Sequence, residues 1–395
     1  MDRKIRKKKF YNYALAAGLT FFVTGCWDYN ELDREASVSL FGNDFSDNGT
    51  AQISMEIRKQ SDQSSEDEGN GKMGKSVIMS ASGPTFFDAI QNTSREAALR
   101  LDFTHDIGSV FSEDVLKSTD FRATLDRIVR IGETRRRELF LATSHKAVAI
   151  LQADASLKND VGEELLGLTD ETAEQQTSPK TDLNDFLYDI GCPGIDPIMP
   201  RIEVKEDTEN RTNRLSLEGC AAMRHLQFAG WFTGDETRGI LWLRNKSGHP
   251  TLTFSWNGQK VTVQTLAIHA HISLTNSSNF HKGIAPEFTA MLDWTGDLVM
   301  YSGRKRLTLH DLNSIQQKVN DVVSSTVATS LQKAQSLPAD VYGFGKVLYN
   351  RDPVTFKKLY GRNWDERGFA ISKIHTTVKS KLNSLGYTQQ PPLEG

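Results

Sequence analysis

The chain has 395 residues, a formal net charge of -3 and an apolar content of 38%. That length exceeds one compact core of usual size, so two or three domains are expected. Once the basic start is set aside, no block of Lys and Arg remains to neutralise phosphates, which excludes nucleic acid as the natural partner.

The basic start is Arg3, Lys4, Arg6, Lys7, Lys8 and Lys9, followed by an apolar run from about Ala14 to Val23. This is the layout of a secretory signal peptide. The run is shorter than the ~20 residues that cross a bilayer as a helix. It ends in Val23-Thr24-Gly25-Cys26, similar to a bacterial lipobox, in which the cysteine is lipidated on sulfur and becomes the first mature residue. On this reading residues 1–25 are removed, and two acyl chains on Cys26 suffice for stable anchoring. The competing reading is an ordinary secreted protein with Cys26 as a free thiol. Cys192 and Cys220 are the other cysteines, and spacing leaves open whether they are bridged or simply buried.

After the anchor, Ala36 to Phe41 and the alternating Ile53, Met55 and Ile57 flank turn formers at Asp44 to Gly49, which predicts a β-hairpin. Asp47-Asn48-Gly49 lacks the spacing of a calcium loop. Gln60 to Gly74, with Glu66-Asp67-Glu68, reads as a solvated loop. Thr85 is the expected N-cap of a helix with Asp88 in the capping-box place and a stripe at Phe86, Ala89, Ile90, Thr93, Ala97 and Leu101. A strand is expected at Ile107 to Phe111 and another at Leu139 to Ala142. Between them Phe121, Leu125, Ile128 and Val129 mark a second helix, and this alternation points to an α/β arrangement. His105 enters one strand without a placed partner. Arg130, Arg135, Arg136 and Arg137 could hold an anion, but Glu133 and Glu138 among them favour a salt-bridged helix end.

Ala147 to Leu151 reads as a short helix, and the polar stretch Asp154 to Thr181 as an exposed excursion or hinge. Helical spacing returns at Asp182 to Tyr188. A domain boundary is placed in polar residues 204–214. Beyond it, Leu215 to Met223, Phe228 to Phe232, Gly239 to Leu243, Leu252 to Trp256 and Val261 to Leu274 read as β-type runs. His269 and His271 share a strand face, but no third metal ligand accompanies them. The longest helix is predicted from Asp311 to about Gln335, its stripe running from Ile315 to Ala334 and covering the adjoining sheet. Asp340 to Gly345 forms a glycine turn, Asp352-Pro353 starts a short helix, and Phe369 to about Val378 closes the chain as a strand. For Gly343 and Gly345 the turn reading requires positive φ or close packing, whereas a docking role would expose Phe344.

No nucleophile elbow, zinc-protease pair, phosphate loop or dinucleotide fingerprint is present. No catalytic, cofactor or metal residue is therefore nominated, and a binding or scaffold role is favoured.

Several of these residues together resemble a known family. Cys26-Trp27-Asp28 with Glu31-Leu32, then Gly83, Thr85, Ala89, His105, Arg130, Glu133 and Arg135, is similar to the C subunits of bacterial spore germinant receptors, the Ger(x)C lipoproteins. Gly219-Cys220-Ala221, Glu236 to Gly239, Asp340 to Gly345 and Trp364 follow in that family's order. The polar inserts near Glu66 and around Asp170 to Lys180 depart from it. The resemblance implies a non-enzymatic subunit without cofactor, on the outer face of the spore inner membrane, beside two integral membrane partners of A and B types. It also implies several mixed α/β domains of non-standard topology. The expected layout is a signal peptide over 1–25, a mixed α/β domain over 26–203 with a break near 154–182, and a second over 214–395, its sheet covered by the long helix. A solute-binding lipoprotein of a transporter is the alternative, and it requires a deep pocket of converging polar groups. An envelope hydrolase would need paired carboxylates in a cleft.

Overall fold

The computed structural model describes residues 35–58, 76–131, 136–155, 157–158, 160–207 and 212–383. Cys26, Trp27-Asp28, Glu31-Leu32, the acidic run at 66–68, Glu133 and Arg135 lie outside the described residues.

Two sheets organise the chain. The first holds β1 (Glu35–Phe45), β2 (Ala51–Arg58), β3 (Val77–Gly83), β4 (Arg100–Asp102), β5 (Gly108–Ser112), β6 (Leu139–Thr143), β7 (Ile198–Asp207), β8 (Thr212–Arg224) and β9 (Gln227–Phe232). Its order is β3-β2-β1-β5-β6-β7-β8-β9, with β4 beside β1. The middle strands β1, β5, β6 and β7 run parallel, while antiparallel hairpins finish both sides. Parallel strands need cover on both faces, and β5 and β6 are buried along their whole length. Val110, Leu139 and Leu141 face the helices Ala147–Leu151 and Val161–Glu174. Phe111 and Phe140 face the opposite core, with Phe121 and Phe186 from the helices Asp120–Ile131 and Leu183–Gly191.

The second sheet has the order β10-β11-β12-β13, made of Thr251–Trp256, Gln259–Leu274, Glu287–Tyr301 and Lys373–Leu382. The 28-residue helix Leu309–Ser336 covers one face through Ile315, Val319, Val323, Val327 and Leu331. Its start is a capping box in which Thr308 and Asp311 satisfy each other's backbone N–H groups. The expected mixed α/β fold with a helix-covered second sheet is thus present.

The β7–β8 hairpin is a wall shared by several cores. Ile198, Cys220 and Ala222 point into the core of the second sheet, whereas Met199, Ala221 and Met223 point into the core of the first. Of the stretch 204–214 expected to hold a domain boundary, residues 204–207 belong to β7 and 212–214 to β8, and Val204 pairs with Leu215.

The first hairpin forms as expected, and Thr85 accepts from the Asp88 N–H at 3.2 Å. That helix stops at Glu96, so Leu101 belongs to β4. Val129 is half exposed and lies off the buried stripe. The polar stretch 154–181 is no exposed excursion. Its centre is a 14-residue helix, Val161–Glu174, capped by Asp160 and seated through buried Val161, Leu165 and Thr169. Glu56 of β2 accepts from the Val161 and Gly162 N–H groups at 2.9 and 3.0 Å, so a buried carboxylate meets the positive end of this helix. The Gly239 to Leu243 run is also helical, the end of Gly234–Leu243. Thr233 and Glu236 form a full capping box there, which outweighs the short apolar run. The last strand among the described residues starts at Lys373, since Phe369–Ile371 is a 3-10 turn.

Candidate functional site

The glycine turn at Asp340–Gly345 is buried, and the 194–196 segment and Trp364 meet it there. Gly343 has φ +89° and begins the helix Phe344–Arg351, a conformation that suits a residue without a Cβ. Asp340 is fully buried and closes the turn. Its Oδ1 accepts from the N–H groups of Tyr342, Gly343 and Phe344 at 3.2, 2.8 and 3.2 Å. Its Oδ2 accepts from the Gly345 N–H and from Trp364 Nε1, each at 2.7 Å. Phe344 is 0% exposed and packs on Phe288, Tyr342 and Phe369, so the docking reading of its ring fails.

The 192–197 segment inserts against this turn. The Asp196 N–H donates to the Asp340 carbonyl at 2.8 Å, and the Asp340 N–H returns to Asp196 Oδ2 at 3.0 Å. The Lys346 N–H donates to the Gly194 carbonyl at 2.9 Å. A Cβ on Gly345 would stand 2.4 Å from Trp364 Nε1 and 2.7 Å from Gly194 Cα. Close backbone packing therefore requires glycine at 345, and left-handed backbone favours it at 343.

Three carboxyls, Asp196, Asp340 and Asp365, share this interior. Burial pushes Asp340 up to about 6, against the pull of its five N–H donors. Burial, then the charges of Asp365 and Asp340, push Asp196 well above the usual carboxylate range. Burial also raises Asp365, although its hydrogen bond with Asp196 pulls it down. The two carboxyls are hydrogen-bonded, and Asp196 is the one raised further. Arg244 supplies the positive charge beside them. It donates to the Val341 carbonyl, to Asp196 O at 2.7 Å and to Asp189 Oδ2 at 2.7 Å.

Beside the joint opens a cleft of about 700 Å³, lined by Asp185, Tyr188 and Asp189 from the first half and Arg244, Lys246 and Lys346 from the second. Lys246 pairs with Asp185 at 3.3 Å, and the Lys346 ammonium sits 4.9 Å from the centre of the Tyr188 ring. Protein partners thus occupy its charged groups.

Residues singled out from sequence take mostly structural places. A Cβ at Gly219 would lie 2.1 Å from the Phe232 carbonyl oxygen, and one at Gly239 would lie 2.6 Å from Ser330 Cβ. Arg238 pairs with Asp235 at 2.9 Å and Arg130 with Asp126 at 2.6 Å. Arg136 and Arg137 are exposed. Glu138 is buried beside Asp106, and burial followed by that neighbour pushes its carboxyl well above the usual range. His105 is exposed and bonds Asp102 at 3.0 Å. His269 and His271 are exposed on the open face of β11, and no group of three metal-ligating side chains occurs among the described residues. Cys192 and Cys220 are both free. Burial pushes the Cys220 thiol up to about 12, which leaves it inert. Asp196, Arg244 and Gly194 escaped the sequence reading because their partners are remote in the chain; Pro193-Gly194 was the only local sign.

Comparison with known proteins agrees with this architecture. Residues 28–204 match the family described as "Spore germination protein N-terminal domain", and residues 218–386 match "Spore germination B3/GerAC like, C-terminal". The chain is 22% identical over 391 residues to spore germination protein KC of Bacillus subtilis (strain 168), covering 93% of each protein. The crystal structure of the GerBC protein shares the fold at a TM-score of 0.56 and 14% identity, over 90% of this chain and all of that one. The chain belongs to the Ger(x)C family of spore germination proteins, the C subunits of germinant receptors.

Proposed function

We propose that this chain is the lipid-anchored, non-enzymatic subunit of a spore nutrient germinant receptor. Cys26 carries the lipid on the outer face of the spore inner membrane, and the folded body supports assembly and signalling with two integral membrane subunits of A and B types. The observation that carries this reading is the family match over both halves, 28–204 and 218–386. The Asp340 carboxylate at the glycine turn is taken up by five N–H donors of the turn and Trp364, which is a structural use. No helix among the described residues is long and apolar enough to cross a membrane. We take 26–203 and 214–395 as the two units, sharing the β7–β8 hairpin.

The test is purification of the tagged chain from spore membranes. Two polytopic proteins are expected to accompany it, and recovery of the chain alone under mild detergent would sink the reading. The 700 Å³ cleft supports a second reading, delivery of a small solute. Calorimetry of the chain from residue 27 against amino acids and sugars separates the two, because micromolar binding to the isolated chain favours delivery.

A further inference from the structure

One end of the second sheet combines exposed apolar side chains with a concentration of positive charge. Neighbouring residues of a covered strand point to opposite faces, so one of each pair is normally buried. At the end of β12 this alternation stops. A β-bulge leaves Val299 as an extra residue between Leu298 and Met300, and Val299 and Met300 are 53% and 46% exposed. Leu309, the first residue of that helix, is 76% exposed. Between them the loop 302–307 carries Arg304, Lys305 and Arg306, all exposed.

The surroundings extend the charge. Lys260 of β11 is exposed and held against the loop, with its N–H donating to Ser302 Oγ at 2.8 Å and its carbonyl accepting from the Ser302 N–H at 3.0 Å. Lys379 and Lys381 are exposed at the end of β13. That end is tied to the long helix by Ser380 Oγ donating to the Gln316 carbonyl at 2.8 Å and the Leu382 N–H donating to Gln316 Oε1 at 2.9 Å. Asp293, in register with Lys379, Asp297 and Asp311 are the acids nearby, and Asp311 is engaged in the helix cap. The platform is built rather than loose. Tyr301 packs edge-on to Trp256 at 6.2 Å, Trp256 Nε1 donates to Ser314 Oγ at 2.9 Å, and Gly303 lies so close to Tyr301 that a Cβ would stand 2.1 Å from its hydroxyl.

We propose that this end of the sheet is a second membrane contact, resting on an anionic lipid bilayer with Val299, Met300 and Leu309 entering the headgroup region. A net acidic chain gathers positive charge here around bare apolar side chains. That pairing suits a surface offering both anionic headgroups and hydrocarbon. The inference rests on the membrane-tethered reading only for bringing a bilayer within reach, and it does not depend on acylation of Cys26. It gives the tether a consequence: one face of the body is fixed against the membrane.

The test uses the chain from Trp27, which keeps every described element. It is mixed with vesicles of phosphatidylglycerol and phosphatidylcholine, or of phosphatidylcholine alone, and sedimented. Binding is expected only to the anionic vesicles and is expected to weaken with salt. Arg304→Ala and Lys305→Ala should each lower affinity about fivefold. Val299→Ser with Leu309→Ser should also lower it, with thermal melting unchanged because these side chains are exposed. In the full chain carrying Cys192→Ser and reconstituted in anionic vesicles, an environment-sensitive dye on Leu309→Cys should shift to the blue. The same dye on Leu157→Cys, equally open at 87% exposure, should not. Equal binding to neutral vesicles, insensitivity to the substitutions, or a Leu309 dye shifted only by a protein partner would each overturn the proposal. Failure of Cys26 acylation would be seen separately, by mass spectrometry of the purified chain.

Discussion

Arg244 and Asp189, 55 positions apart, meet at 2.7 Å with side chains only 9% and 13% exposed. The same guanidinium also holds the carbonyls of Asp196 and Val341. One side chain from the end of the helix Gly234–Leu243 therefore binds the first half of the chain and the Asp340 turn together.

Arg244→Ala should accordingly destabilise the protein by about 3–5 kcal/mol, the usual cost of stranding one partner of a buried pair. Arg244→Lys should recover only part of this, because an ammonium cannot reproduce the planar fork that serves three acceptors. Urea denaturation followed by tryptophan fluorescence measures both. A loss below 1 kcal/mol for the alanine variant would show that the joint does not depend on this arginine.

Glycines offer a graded series. Gly345→Ala forces a methyl against Trp364 and Gly194 and should cost about 1–3 kcal/mol as overpacking. Gly343→Ala should cost about 1–2 kcal/mol through its left-handed backbone, even though its nearest neighbour, Ile195, leaves more room. Gly167 lies on the open side of the helix Val161–Glu174 with nothing within 4 Å of a Cβ, so Gly167→Ala should gain ~0.5–1 kcal/mol. Melting temperatures of the three variants check the order.

Protons bind the buried carboxyls more tightly in the folded chain than in the unfolded one. For Asp340 the window runs from the ordinary 3.8 to about 6. Across it the folded state keeps a proton that the unfolded state has released, so this carboxyl's contribution to stability falls as pH rises and levels off above the window. Asp196 extends the trend upward because its own carboxyl is raised further. Asp196→Asn should flatten the decline and raise stability above pH 7, since the amide oxygen can still accept from the Asp340 N–H. Urea midpoints between pH 4 and pH 8 test this, and an unchanged slope would place the titration elsewhere.

The proposed lipid anchor predicts that Cys26→Ala separates attachment from folding. The described elements begin at Glu35, so the melting transition should be unchanged while the chain leaves the membrane fraction. The loss should appear as a fall in germination response through lowered local concentration. A variant that still sediments with membranes and is released only by detergent would contradict the tether.

Much of this architecture could be read locally. The first hairpin, the Thr85 cap and the long helix rest on neighbours within a few positions, which is where periodicity and capping chemistry act. The strand Glu287–Tyr301 carried an equally plain signal, with Phe288, Ala290, Leu292, Trp294 and Leu298 buried in alternation, and it was absent from the sequence reading. At Gly239 to Leu243 a short apolar run was followed where the Thr233–Glu236 box should have decided. In 154–181 the polar composition hid a helix whose burial is paid for by Glu56, about a hundred residues away. Nothing near Asp340 announced Asp196 or Arg244, because the joint exists only once the sheets have assembled. Asp340 itself was legible as part of a turn, but not as the member of a carboxyl trio.

Because alternate residues of β7 and β8 feed different interiors, the two halves are less like beads on a string than like houses sharing a masonry wall. Severing the polypeptide between β7 and β8 should yield one fragment without β8 and β9 and another without β7, which recover their shape only by annealing to one another. Insertions elsewhere could diversify either half, but any change at this seam is felt in both.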